Sequence, residues 1–66
     1  MRVTVNGSAR ALSGGETVAD LVVELTPHRR GVAVAVNGEV VPRTGWDGTA
    51  LRDGDRVEVL TAAQGG

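Results

Sequence analysis

The chain of 66 residues carries seven arginines, eight acidic residues and a formal net charge of −1, so it fits one small domain without the basic excess of a nucleic-acid-binding protein. With no cysteine and a single histidine, it can build neither a disulfide framework nor a thiolate or histidine-cluster metal site. We find no charged leader and no apolar run of the ~20 residues that a membrane span needs, so we expect a cytoplasmic protein without a membrane partner.

The stretch RVTVNGSARAL predicts a β-hairpin over residues 2–12. Val3 and Val5 alternate with polar neighbours, which is the period of a strand with one buried face. Asn6-Gly7 is the residue pair preferred in a two-residue type I′ turn, because both central positions of that turn need a positive φ.

A short helix is predicted over residues 18–26. Four apolar side chains recur at the spacing of one helical face: Val18, Leu21, Val22 and Leu25. Thr17 is a good N-cap, and Asp20 stands where a carboxylate can complete a capping box. Pro27 ends the helix because the residue before a proline, here Thr26, is disfavoured in the α region.

The second half of the chain alternates strands with turns. Residues 32–36 form an apolar strand that we expect to be central, and Asn37-Gly38 repeats the hairpin turn before a short return strand. A turn-rich connection around Trp46 leads to the last strand, over residues 56–62.

This order predicts an α+β fold in which a mixed sheet of four to five strands packs on one helix, since a chain this short can build only one core. The predicted core consists of inward-facing apolar residues: Val3, Val5, Leu12, Val18, Leu21, Val22, Leu25, Val34, Val36, Leu51, Val57 and Val59. Trp46 is expected to be a lid over the edge of this core rather than a ligand platform, because no other aromatic residue accompanies it.

The element order, together with VNG near the start, AVNGEVVPR, Trp46, LRDGDRVEVL and the terminal Gly65-Gly66, resembles the β-grasp (ubiquitin-like) sulfur carriers. The resemblance spans the whole chain and is strongest to the sulfur carriers of thiamine biosynthesis. It implies a β-grasp domain over residues 1–62 and a flexible C-terminal tail over residues 63–66.

In that family, an activating enzyme uses ATP and Mg to adenylate the C-terminal glycine, and a sulfur donor such as a cysteine desulfurase supplies the sulfur of the resulting thiocarboxylate. The resemblance implies that Gly66 is the modified residue and that thiazole synthase takes up its sulfur. Gly65, Gln64 and Ala63 would form the tail that enters the partner's channel. The chain itself would bind no cofactor and would be a cosubstrate rather than an enzyme.

A docking surface for these partners is expected on the solvent face of the last strand. Leu60 and Ala62 point away from the face that holds Val59, and Ala33 and Ala35 would lie beside them. These side chains form a small apolar patch near the tail. An exposed patch without a partner is the alternative, because scattered surface apolar residues are common.

Three further alternatives stay open. The Asp53-Gly54-Asp55 run could imitate a metal or phosphate site, although it better suits a turn that enters the last strand, and we expect no bound metal. The sulfur acceptor could instead belong to cysteine biosynthesis, or the chain could be the small subunit of molybdopterin synthase. The domain could also be a non-carrier β-grasp module that binds RNA or a protein, with Gly65-Gly66 as a frayed terminus.

Overall fold

The computed structural model describes residues 1–27 and 30–61, which form five strands, one helix and one 3-10 turn. In chain order, these elements are β1 (Arg2–Val5), β2 (Ser8–Ala11), α1 (Val18–Leu25), β3 (Val32–Val36), β4 (Glu39–Val41), the 3-10 turn (Arg43–Gly45) and β5 (Arg56–Thr61). The predicted α+β class, with a mixed sheet on one helix, is confirmed. No helix in this described part of the chain is long and apolar enough to cross a membrane.

The strands form one sheet in the order β2-β1-β5-β3-β4. β5 pairs in parallel with β1 and antiparallel with β3, while β2 and β4 close the two antiparallel hairpins at the edges. The last strand of the chain therefore lies in the middle of the sheet. β3, which the sequence predicts to be central, is an interior strand between β5 and β4.

Both Asn-Gly pairs form the predicted hairpin turns. Asn6 and Gly7 have φ angles of 50° and 86°, and Asn37 and Gly38 have φ angles of 53° and 86°. Positive φ at both central positions is the mark of a type I′ turn, whose twist matches that of the strands it joins. A Cβ added at Gly7 or Gly38 would meet no atom within 4 Å, so the backbone angle, rather than space, favours glycine.

Helix α1 begins at the predicted capping box and ends one residue before its predicted end. The Thr17 hydroxyl accepts a hydrogen bond from Asp20 N–H at 3.3 Å, and the Asp20 carboxylate accepts one from Thr17 N–H at 3.0 Å. Thr26 has an extended backbone, with φ −149° and ψ 140°, and caps a helix that stops at Leu25. This is the conformation expected immediately before Pro27.

The core lies between α1 and the inward face of the sheet, and most of its predicted members are buried. Three predicted members are not fully buried. Leu12 and Val36 only pack against the margin of the core, and Leu25 is 36% exposed because it is the last residue of α1. Two residues absent from the predicted core, Ala19 and Trp46, are buried.

Trp46 is a core residue and not a lid, which corrects the prediction from the sequence. It is 1% exposed, and its Nε1 donates a hydrogen bond to the carbonyl of Val41 at 2.9 Å. The turn that begins at Trp46 also accepts two N–H groups from the first turn of α1: Ala19 N–H donates to Trp46 O at 3.2 Å and Val18 N–H to Thr49 O at 2.9 Å. The connection thus provides partners for donors that a helix leaves unpaired.

Candidate functional site

β5 presents two different faces, as its alternating sequence predicts. Val57 and Val59 point into the core, where they are 0% and 8% exposed. Glu58 and Leu60 point to solvent, and Leu60 is 69% exposed. Leu60 is therefore placed as expected for a docking residue, on the outward face of the strand that leads to the predicted tail.

Leu60 forms one side of a shallow concavity of about 220 Å³ on this outward face. The register places Ala33 of β3 opposite Leu60, and Ala35 between Glu58 of β5 and Val40 of β4. Alanine has a short side chain, so the middle of the surface is low while Leu60 and Val40 stand on either side. Val40 is 75% exposed, which makes the concavity apolar at both sides.

Two polar residues complete the lining of this concavity. Glu58 adds a negative charge, and Asn6 reaches it from the turn between β1 and β2. The Asn6 side chain is bonded to the backbone of β5: Val59 N–H donates to Asn6 Oδ1 at 2.9 Å, and Asn6 Nδ2 donates to Val59 O at 3.0 Å. The surface can therefore accept an aliphatic side chain and, beside it, a positively charged or hydrogen-bond-donating group.

A larger depression of about 640 Å³ lies beside β4 and the loop that follows it, and several of its polar groups form hydrogen bonds within the fold. Asp55 accepts hydrogen bonds from Asn37 Nδ2 at 3.0 Å and from Arg52 N–H at 2.8 Å, and Thr49 Oγ1 donates to Gly45 O at 2.7 Å. We therefore consider the smaller apolar concavity, which contains the predicted Leu60, to be the candidate site.

The Asp53-Gly54-Asp55 run is a turn that enters β5, as its simpler interpretation predicts. Asp53 Oδ1 accepts a hydrogen bond from Arg2 N–H at 2.7 Å, and Gly54 N–H donates to Arg2 O at 2.7 Å, so the turn is joined to the start of β1. The described residues contain no group of three or more His, Cys, Asp or Glu side chains that could hold a metal ion.

Of the residues predicted from the sequence to have a functional role, only Leu60 falls within the described part of the chain, together with Ala33 and Ala35, which were expected beside it. Ala62, Ala63, Gln64, Gly65 and Gly66 lie outside it, so the roles assigned to them stay predictions. The alternation along β5 could identify Leu60.

Sequence reasoning missed Val40 and Asn6 as parts of the same surface. The pairing of β3 with both β4 and β5 brings Val40 there, and the parallel pairing of β1 with β5 brings Asn6. These contacts are non-local or depend on strand order, so the spacing of the residues in the sequence contains little signal for them.

Comparison with known proteins identifies one family. The model of the ThiS family matches residues 3–66. The chain is 32% identical over 66 residues to the sulfur carrier protein ThiS of Escherichia coli, covering 100% of both chains. It is 39% identical over 64 residues to the sulfur carrier protein ThiS of Thermus thermophilus, covering 97% of this chain and 98% of that one.

A third relative is a longer protein. The chain is 38% identical over 66 residues to a thiazole synthase of Paramagnetospirillum magneticum, and it spans only 20% of that protein's length. Among solved structures, the crystal structure of the thiamine biosynthesis protein ThiS of Geobacter metallireducens superposes with a TM-score of 0.81 at 38% identity, over 92% of this chain and 93% of that one. This neighbour confirms the β-grasp fold.

Proposed function

This chain belongs to the ThiS family, the sulfur carriers of thiamine biosynthesis, and from that premise we propose that Gly66 carries the sulfur as a thiocarboxylate. The observation that carries the proposal is the full-length match to two proteins named as sulfur carriers. The domain acts as a carrier and is itself acted upon, so its structure should provide a recognition surface and a reactive terminus rather than an active site.

The chemistry begins with a carboxylate, which is a poor electrophile because it is negatively charged and has no good leaving group. An oxygen of the Gly66 carboxylate attacks the α-phosphorus of ATP in an activating enzyme, and pyrophosphate leaves. Hydrosulfide then attacks the carbonyl carbon of the acyl-adenylate, AMP leaves, and a thiocarboxylate remains. The activating enzyme supplies Mg²⁺ and the positioning of both reactants, and this chain supplies the reacting carbonyl.

A persulfide from a cysteine desulfurase can replace hydrosulfide in this step. Its terminal sulfur displaces AMP and forms an acyl disulfide, which a second thiol reduces to the thiocarboxylate while a new disulfide forms between the two thiols. In the acceptor enzyme, the thiocarboxylate sulfur attacks an electrophilic carbon, and water then cleaves the acyl–sulfur bond. Hydrolysis restores the carboxylate of Gly66, so the chain is ready for another cycle.

The segment from Ala63 to Gly66 has a composition that suits an active-site channel. Four extended residues span about 13 Å, which allows the terminus to reach a reaction centre while the domain stays outside. Gly65 and Gly66 have no Cβ, so they pass through a narrow channel and adopt backbone angles barred to other residues. Because activation uses ATP and Mg²⁺, the proposal places this chemistry in the cytoplasm.

The proposed docking surface is the concavity between Leu60 and Val40. It lies on the strand that precedes the tail, so a partner bound there would have the tail beside its own active site. Three partners are proposed: the activating enzyme, the sulfur donor and thiazole synthase. The relative named thiazole synthase, in which a segment similar to this chain makes up 20% of the length, supports the third.

The test of the carrier function is intact-mass spectrometry of the protein after incubation with the activating enzyme, ATP-Mg²⁺ and a sulfide source. We expect a mass change that corresponds to replacement of one oxygen by one sulfur, located at Gly66 by fragmentation. A variant extended by two residues beyond Gly66 should not react. An unmodified wild-type protein, or sulfur located at another residue, would refute the proposal.

The docking surface is tested by Leu60→Asp, with Val23→Asp as a matched control. Both residues are well exposed, at 69% and 65%, but Val23 lies on the solvent face of α1. We expect Leu60→Asp to raise the KM of the carrier for the activating enzyme by about tenfold, because a charge replaces a buried apolar contact in the complex. Equal KM values for the two variants would refute this surface.

A further inference from the structure

We propose that the side chain of Asn6 is a positioning residue for sulfur transfer, because it holds the end of β5 at the place where the tail leaves the domain. This inference rests on the proposed carrier function. It assigns Asn6 a role beyond its part in the hairpin turn.

The backbone of β1 pairs with only the first part of β5. Thr4 N–H donates to Asp55 O at 2.9 Å, and Asn6 N–H donates to Val57 O at 2.9 Å. β1 ends at Val5, and the chain then turns back through Asn6-Gly7 into β2. β5 continues in the same direction to Thr61.

The amide group of Asn6 takes the place of the next β1 residue. Its Oδ1 accepts a hydrogen bond from Val59 N–H at 2.9 Å, and its Nδ2 donates one to Val59 O at 3.0 Å. A carboxamide offers the same donor and acceptor as a peptide group, so this pair extends the ladder to a position two residues before the end of β5. Both bonds are partly buried, where loss of a partner leaves a backbone group unsatisfied.

The position of this strand end matters because catalysis in a partner requires the terminal carboxylate to sit in an attack geometry. A misplacement of about 1 Å can lower a rate about 100-fold. Without the Asn6 amide, β5 beyond Val57 keeps its pairing with β3 but loses its partner on the β1 side. The position from which the chain continues after Thr61 then becomes less defined. The domain still docks through Leu60 and Val40, but the carboxylate reaches the α-phosphorus less often, so kcat falls by a larger factor than KM rises.

The chain contains a matched control at the other end of β5. Asn37 also lies in a type I′ turn, and its Oδ1 accepts a hydrogen bond from Arg56 N–H at 2.9 Å. Asn37 therefore holds the start of β5 much as Asn6 holds its end. Only Asn6 binds β5 near its C-terminal end, at Val59. Comparing the two variants therefore distinguishes a general loss of strand stability from a loss of order at the end of β5.

The test compares Asn6→Gly with Asn37→Gly. Glycine adopts the positive φ of both turns, so each variant mainly removes the side-chain amide. We measure amide hydrogen exchange at Val59 by NMR, and kcat and KM of ATP–pyrophosphate exchange by the activating enzyme with the carrier as varied substrate. In Asn6→Gly, we expect the Val59 amide to exchange about tenfold faster and kcat to fall about tenfold, with a change in KM of less than about threefold. Asn37→Gly should keep the wild-type kcat and KM.

Several outcomes would overturn the proposal. A wild-type kcat for Asn6→Gly, or an equal loss of kcat in both variants, would show that Asn6 does not position the tail. A rise in KM alone would make Asn6 a docking residue. Asn6→Asp, which keeps the acceptor for Val59 N–H and loses the donor, should give an intermediate kcat, and it replaces Asn6→Gly should that variant not fold.

The same kinetic measurements distinguish a failure of the proposed role of Asn6 from a failure of the proposed carrier function. A wild-type protein that supports no pyrophosphate exchange refutes the carrier function and with it the role of Asn6. A wild-type protein that reacts, beside an Asn6→Gly variant with the same kcat, refutes the role of Asn6 alone.

Discussion

The carboxylate of Glu16 stabilises the loop that leads into α1. It accepts hydrogen bonds from Gly14 N–H at 2.7 Å and from the N–H and Oγ of Ser13 at 3.0 Å each. These donors, with Gly14 N–H as the strongest, favour the charged form and lower the pKa of Glu16 from its usual value of 4.5.

A lowered native pKa predicts how the stability of the domain depends on pH through Glu16. The contribution of this residue is complete above the unfolded-state pKa of 4.5 and is lost as the pH falls through the lower native pKa. We expect Glu16→Gln to lower the Tm at pH 7, and the difference from wild type to disappear at acidic pH. Thermal unfolding of both proteins over a pH series checks this, and a difference that stays constant with pH would contradict it.

The burial of Trp46 could not be predicted from the sequence. This residue lies in a turn-rich stretch with no apolar period, so its pattern says nothing about which way it faces. Its burial depends on the return of the chain over the start of α1, where its backbone carbonyl accepts Ala19 N–H. The predicted burial of Leu25 was wrong although its pattern is clear. Leu25 continues the apolar stripe of the helix, but the helix ends there and leaves it 36% exposed.

At the level of elements, α1 depends on its cap because eight residues are too few for a stable isolated helix. We expect Thr17→Ala to lower the free energy of unfolding by about 1 kcal/mol, since the variant leaves Asp20 N–H without its acceptor. Urea unfolding followed by circular dichroism measures this value. Thr44→Ala, in the exposed part of the 3-10 turn, is the control and should change stability by less than about 0.5 kcal/mol.

The two hydrogen bonds of the capping box should depend on each other, which a double-mutant cycle can measure. Asp20→Ala removes the bond that Thr17 N–H donates to the carboxylate, and the double variant removes both bonds. The two losses should couple by about 0.5 kcal/mol or more, because each side chain positions the backbone group that the other one binds. Strictly additive losses would mean that the two bonds form independently.

The elements themselves were predictable where the determining interactions are local. The turns at Asn6-Gly7 and Asn37-Gly38 follow from a residue pair that tolerates positive φ, and the end of α1 follows from Pro27. The strand order was not predictable in the same way. Placing β5 beside β1 joins residues more than 50 positions apart, and no periodicity encodes such a pairing.

For the whole molecule, the order of the sheet makes folding depend on the last described strand. β1–β2 and β3–β4 are hairpins that form locally, but only β5 pairs with both and joins them into one sheet. β5 also supplies Val57 and Val59 to the core. The domain should therefore unfold in one cooperative transition, because neither hairpin can bury its apolar face without β5.

Two truncated chains test this dependence together with the predicted boundary between domain and tail. A chain that ends at residue 62 keeps all of β5, so we expect a wild-type Tm together with complete loss of thiocarboxylate formation. A chain that ends at residue 55 lacks β5 and should show no cooperative transition. Trp46, the only aromatic residue of the sequence, reports the core directly, because its buried indole becomes solvated when the sheet does not form. A cooperative transition with buried-type Trp46 fluorescence in the shorter chain would contradict the central role of β5.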